Sequence, residues 1–317
     1  MVVSRLAPSP TGSLHIGNVR TFLWAWLSAR AQGGRVILRV EDLDTPRVKP
    51  GVIEKMLDDL RWLGLDWDNG PGVTTHENFV QSQRREHYQR VHARLLAENA
   101  IYPCVCTRAE LAAAQSAPHE GDVEPRYSGT CRERFRSGAH AQESSGRAPA
   151  WRVKVAPGVV SFDDLLFGKQ EIDVHGSVGD FVVAKAPDNP AYQLAVVADD
   201  IAMNVTEVVR GDDLIPSTGR QILLYRLLGA PIPRYGHVPL VVGTDGKRLA
   251  KRHGDARIAT LRATGVDPRH LVATLARWSG LECAARATPA ELLSAWSWQK
   301  VSRERIVLTA EKLRELG

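Results

Sequence analysis

His15, Gly17 and Asn18 stand where this chain could hold a phosphate. Residues 2–7 are a short apolar run suited to a buried strand. Two prolines, a serine, a threonine and glycine then predict a tight polar turn. From Asn18 onward Val19, Phe22, Leu23, Trp26 and Leu27 recur at helical spacing. The unit is strand, glycine-bearing loop, helix. A helix start offers unpaired N–H groups and the positive end of a dipole, and both favour phosphate. His15 sits at that entrance, where a ring N–H could donate to a phosphate oxygen. A plain structural turn would share this local pattern, so the phosphate reading depends on further residues.

The string from Asp245 to Arg252 supplies a second constellation, an Asp-Gly turn followed by Lys247, Arg248, Lys251 and Arg252. Cations on a mobile loop can close over a polyphosphate as it is displaced. Arginines at 5 and 210 can each make planar, two-pronged bonds to a carboxylate. Glu41 could accept from an ammonium group. Arg210 could instead pair with Asp212 or Asp213 at the surface. Cys104, Cys106 and Cys131 cluster in the sequence, and in a reducing compartment such thiolates suggest zinc more than disulfides. A fourth ligand could be His119, His140, Tyr127 or water. Cys283 is distant and reads as a core residue.

The elements that must position these groups alternate. Residues 35–40 read as a second strand ending at the acidic string Glu41, Asp42, Leu43, Asp44. In an open parallel sheet, ligands bind outside the carboxyl ends of the strands, so residues 5–9 and Glu41 are expected to face one crevice. Helices are expected from Pro50 through Leu63 and over about 79–99, the latter with Arg84, Arg85, Arg90 and Arg94 on a solvated face. Residues 137–150 read as a loop in a basic segment that carries Arg126, Arg132, Arg134, Arg136 and Arg152. Strands are expected at 181–184, 195–197, 207–210 and 236–243. Ser217 is expected to cap a helix, and 255–317 to be mostly helical with starts at Pro268 and Pro289.

With 317 residues, 24% of them charged and 44% hydrophobic, the chain is an ordinary globular sequence. It has no apolar run of the roughly 18 residues that span a bilayer and no leader pattern. A cytoplasmic protein, no membrane partner and a monomer are expected. The net charge of +5 permits a polyanionic partner.

The motifs together resemble the class I aminoacyl-tRNA synthetases in their glutamyl form. His15-Ile16-Gly17-Asn18 stands at the His-Ile-Gly-His signature. Residues 248–252 stand at the Lys-Met-Ser-Lys-Ser loop, with Arg248 in place of the first lysine and Ala250 in place of the serine. The resemblance implies a glutamate site from Arg5, Leu6, Ala7, Pro8, Ser9, Glu41, Tyr192 and Arg210. It implies an ATP site from His15, Gly17, Asn18, Arg248, Leu249 and Lys251, with His15 and Lys251 catalytic and Mg²⁺ accompanying ATP. The Cys-x-Cys…Tyr-x₃-Cys string is similar to the zinc site of the glutamyl-Q tRNA(Asp) synthetases. It implies one structural Zn²⁺ held by Cys104, Cys106, Tyr127 and Cys131.

That family implies an α/β fold: a Rossmann-like doubly wound parallel sheet, a zinc-containing insertion and a C-terminal helical stem-contact region. The expected divisions are 1–100 and 186–244 for the two halves of the catalytic domain, 101–185 for an acceptor-binding-like insertion, and 245–317 for the signature loop and helical region. The chain stops shortly after the second signature, where full glutamyl-tRNA synthetases continue into an anticodon-binding domain. The implied reaction is tRNA-independent activation of L-glutamate by ATP, then transfer to queuosine in the anticodon of tRNA(Asp). The tRNA would approach the basic insertion, with binding that weakens with salt. The rivals are a truncated enzyme that charges the 3′ end of tRNA(Glu), a small-molecule nucleotidylyltransferase and a non-catalytic tRNA-binding protein.

Overall fold

The computed structural model describes residues 1–44, 47–74, 78–113, 126–249 and 256–317. β1 (Val3–Leu6) leads through a turn into α1 (Ile16–Arg30), which returns to β2 (Arg35–Leu38), parallel to β1. α2 (Val52–Trp62) opens at Gly51, whose φ of 73° suits glycine, and α3 (Arg85–Ala97) follows. The middle of the chain holds β3 (Ile101–Cys104), α4 (Arg108–Ala113), α5 (Gly138–Ser145) and β4 (Ala150–Val153). It continues with β5 (Val160–Asp164), β6 (Gly168–Ile172), α6 (Val174–Ser177), β7 (Val182–Ala186) and β8 (Asn189–Pro190). Then come α7 (Tyr192–Ala202), β9 (Glu207–Gly211), α8 (Ile215–Leu227), β10 (Arg234–Val238) and β11 (Val241–Gly243). α9 (Ile258–Ala263), α10 (Pro268–Trp278), β12 (Ile306–Leu308) and α11 (Ala310–Glu315) close the order.

The parallel pairs β1–β2 and β9–β10 lie edge to edge. Val3 N–H donates to Thr206 Oγ1, and Thr206 N–H donates back to Val3 O, both at 2.9 Å. Helices separate these strands in the chain, as parallel pairing requires, and the architecture is α/β. β10 also meets β5, which hairpins with β6. A separate antiparallel sheet orders β3, β4, β7 and β8. α1 is buried along almost its whole length because its apolar residues surround it, and Trp24 packs its ring 4.9 Å from Trp296. No helix of the described residues is long and apolar enough to cross a membrane.

Several local expectations are corrected. Residues 195–197 are helical, inside α7, because a short buried apolar run has no period that separates strand from helix. Residues 137–150 include α5, which Ser137 caps by accepting from His140 N–H and Gly146 ends at φ 67°. Ser217 is not a cap. It lies in the first turn of α8, where its hydroxyl accepts from Gln193 and Arg220. Pro289 precedes only a 3₁₀ turn, and β12 is a strand where helix was expected. Arg84 leaves the solvated face to donate to Asp199 at 2.8 Å.

Candidate functional site

β1 and α1 shape the first signature. His15 is the N-cap of α1. Its Nδ1 accepts from Asn18 N–H, and Asn18 Oδ1 accepts from His15 N–H, each at 3.3 Å. This reciprocal cap orients both side chains at the helix entrance. The imidazole folds back over Gly17, where an added Cβ would sit 3.1 Å from its Cε1 and Nδ1. Ile258 N–H donates to Leu14 O at 2.9 Å, and His15 bridges Arg257. The exit of the second signature is thus stitched to the first.

The entry to that second signature is equally anchored. Gly243 N–H donates to Lys247 O, and Arg248 pairs with Asp213 at 3.0 Å. Leu249 is buried in the core, so its side chain is not offered to a ligand. Ala250, Lys251 and residues 252–255 lie outside the described residues, as does His119.

Glu41 follows β2, and its N–H donates to Pro8 O at 3.0 Å, which holds it against the 5–9 stretch. Leu6 is core, Ala7 is half-buried, Pro8 is buried and Ser9 is exposed. Arg39, fully buried, donates to Glu41 Oε1 at 3.0 Å and to Asp200 Oδ1 at 2.5 Å. Arg5 Nε lies 3.5 Å from the same Asp200 oxygen, and its Nη1 donates to Val209 O. Burial pushes the Glu41 carboxyl above its usual range, against the pull of Arg39 and Arg5. Tyr192 is 43% exposed as a residue, yet burial around its phenol and the charge of Glu41 raise that group, while Arg210 and Arg5 pull it back. Glu41, Arg210 and Arg5 thus each act on the Tyr192 phenol, and Arg5 also acts on Glu41.

Arg210 is not a surface ion pair with Asp212 or Asp213. Its guanidinium is buried and donates to His237 Nε2 (3.0 Å), Gln221 Oε1 (2.7 Å), Thr218 Oγ1 (2.8 Å) and Leu214 O (3.3 Å). Arg20, Arg39, Asp200, His237 and Asp164 are buried polar groups that the motif reading missed. They sit in no motif, and only polar letters inside apolar runs could have drawn attention to them. Burial lowers the Arg20 guanidinium to about 10, against the pull of Asp212, and its Nε donates to Ser279 Oγ at 2.7 Å.

In the antiparallel sheet region, the thiols of Cys104, Cys106 and Cys131 lie within 4.8 Å of one another. Tyr127 Oη is 3.4 Å from Cys104 Sγ and 3.8 Å from Cys106 Sγ, and accepts from Cys131 N–H at 2.8 Å. Burial raises the Tyr127 phenol and pushes the Cys106 thiol up to about 12. Three thiols and a phenol brought this close together are the donor set that a divalent, thiophilic cation would stabilise. His140 is turned elsewhere: its Nδ1 accepts from Arg136 N–H. Cys283 is half-buried against the core.

The basic segment divides. Arg152 is buried, with its guanidinium 3.8 Å from the Tyr127 ring centroid, and donates to Asp180 O. Arg132 pairs with Asp180 at 3.0 Å. Arg126, Arg134 and Arg136 remain exposed.

The model of the tRNA synthetases class I (E and Q), catalytic domain, matches residues 1–314. A glutamyl-Q tRNA(Asp) synthetase of Symbiobacterium thermophilum is 48% identical over 320 residues, covering 100% of this chain and 99% of its own length. A glutamate–tRNA ligase of Oleidesulfovibrio alaskensis is 39% identical, covering 100% of this chain and 65% of its own. The solved glutamate tRNA ligase of Elizabethkingia meningosepticum, in complex with its amino acid, superposes with a TM-score of 0.83 at 29% identity. That match covers 99% of this chain and 68% of the ligase.

Proposed function

The chain belongs to the class I glutamyl and glutaminyl tRNA synthetase catalytic-domain family, in its glutamyl-Q tRNA(Asp) synthetase branch, and on that premise we propose how its residues divide the work. The enzyme activates glutamate with ATP and transfers the glutamyl group to queuosine in tRNA(Asp). The observations that support the residue assignment are the hold of Glu41 N–H on Pro8 O, the approach of Arg5 and Arg39 to the same Asp200 oxygen, and the influence of Glu41, Arg210 and Arg5 on the Tyr192 phenol.

Two guanidiniums and one carboxylate complement an amino acid with two carboxylates and one ammonium group. Glu41 takes the ammonium, and the arginines take the carboxylates. The substrate α-carboxylate then attacks the α-phosphorus of ATP in line, and pyrophosphate leaves. His15 and the N–H groups around Gly17 and Asn18 stabilise charge on the phosphates. Arg248 and Lys251 neutralise the departing pyrophosphate, with Mg²⁺ supplying further charge compensation when ATP is bound. No covalent nucleophile is required, since positioning and charge stabilisation carry the rate. A queuosine hydroxyl next attacks the glutamyl carbonyl, and AMP departs. Exposed Arg126, Arg134 and Arg136 offer the tRNA backbone a cationic approach.

Cys104, Cys106, Cys131 and Tyr127 would hold one Zn²⁺, which cross-links the segment between β3 and β4 and takes no part in chemistry. Glutamate-dependent ATP–pyrophosphate exchange without tRNA tests the first half-reaction. Exchange with glutamate and not with glutamine or aspartate is expected. No exchange with glutamate and Mg²⁺ would overturn the assignment.

A further inference from the structure

The guanidinium of Arg210 is 5% exposed, and among the described residues every acceptor it reaches is neutral. One of those acceptors is unusual. His237 Nε2 takes the Arg210 Nε–H at 3.0 Å. An arginine nitrogen can only donate, so this ring nitrogen must present its lone pair. The proton then belongs on Nδ1, which lies 2.6 Å from Asp164 Oδ2. Asp164 is itself fixed. Its Oδ1 accepts from Leu166 and Phe167 N–H at 3.0 and 2.9 Å, and its Oδ2 from His237 N–H at 3.0 Å.

His237 is fully buried, and the Tyr235 ring stacks on it at 6.1 Å with planes 7° apart. The Arg210 guanidinium lies over the same tyrosine ring at 5.3 Å. Three strands thus contribute one chain of contacts: Asp164 at the end of β5, His237 on β10 and Arg210 on β9. A buried cation whose contacts are all neutral retains most of its charge for an incoming anion. The chain of contacts also orients that cation: Nε donates to the imidazole, Nη2 to Leu214 O and Thr218, and Nη1 to Gln221, which leaves one Nη1 N–H for an incoming carboxylate.

We propose that His237, in the tautomer set by Asp164, is a positioning residue that fixes the plane of Arg210 for a glutamate carboxylate. This rests on the glutamate reading given above. His237 touches no reacting atom, so its influence is on substrate binding through Arg210.

Two variants separate this role from a purely structural one. In His237→Asn the amide can replace Nδ1 as the donor to Asp164, and the acceptor for Arg210 is lost. In His237→Gln the amide oxygen can replace Nε2 as that acceptor, and the donor to Asp164 is lost. Steady-state ATP–pyrophosphate exchange is measured for each, against wild type. We expect His237→Asn to raise the glutamate KM by about tenfold or more, with the ATP KM within about twofold, and His237→Gln to stay within about threefold on both. Equal losses in the two variants, an unchanged glutamate KM in His237→Asn, or failure of both to fold would each overturn the proposal. Wild-type protein without glutamate-dependent exchange would instead remove the glutamate reading beneath it.

Discussion

Arg39 and Glu41, two residues apart, meet across 3.0 Å between Nη2 and Oε1, and the same arginine holds Asp200 at 2.5 Å. Residues at i and i+2 of an extended chain share a face, which is how Arg39 reaches Glu41, while α7 brings Asp200 to the same guanidinium. Removing one partner of a buried ion pair leaves the other uncompensated, at about 3–5 kcal/mol. Arg39→Met is therefore expected to lower stability by about that amount in urea unfolding and to raise the glutamate KM. A change below about 1 kcal/mol would show that Arg39 holds nothing of consequence.

Glu41 carries a pH dependence with a defined sign. Burial raises its carboxyl above the ordinary glutamate value. Only the ionised form accepts from a substrate ammonium, and that form is complete above the raised value. As pH falls through it, Glu41 takes a proton and glutamate binding is lost. The acid limb of kcat/KM for glutamate should then lie above about 4.3, the value of an unperturbed glutamate. Glu41→Gln should lower kcat/KM and flatten this limb. An identical limb in the variant would assign the titration to another group.

Arg210→Ala is expected to abolish glutamate-dependent exchange at ordinary glutamate concentration, a loss of roughly a hundredfold or more in kcat/KM. Retained exchange would remove Arg210 from the pocket.

How far the sequence foretold this site depends on where each partner comes from. The first signature was legible because strand, turn and helix are contiguous, and the cap between His15 and Asn18 is local. Arg210 could be read as a pocket residue or as a surface ion pair. Its burial is decided by Gln221 and Thr218 on α8 and by His237 on β10, and no spacing rule connects those to β9. Arg152 was legible only as a charge in a basic segment. The structure turns it inward, over the Tyr127 ring and onto Asp180 O. Val196 and Val197 suggested a strand because β-branched residues favour one, yet tertiary burial places them in α7. The Cys-x-Cys string and Tyr127 were visible as letters. That the phenol oxygen enters the sulfur cluster required the turn that brings Cys131 N–H to it.

The cysteine cluster should carry stoichiometric zinc, one ion per chain by elemental analysis of purified protein. Chelation, or Cys131→Ser, should lower the thermal midpoint, because the ion would cross-link the segment around Tyr127. Tyr127→Phe should retain zinc with affinity weaker by about tenfold or more, while His140→Ala should leave affinity unchanged. Protein that folds fully without metal, with no zinc bound on addition, would reduce the cluster to three unligated thiols.

The activated glutamyl group goes to a modified anticodon base, and one labelling experiment tests this directly. Purified protein is incubated with ATP, Mg²⁺ and labelled glutamate, with either queuosine-containing or queuosine-free tRNA(Asp), or with tRNA(Glu), and the label is mapped by nuclease digestion. Label confined to the queuosine nucleoside of tRNA(Asp), and absent from the other two, is the predicted result. Label on the 3′-terminal adenosine of tRNA(Glu) would contradict it.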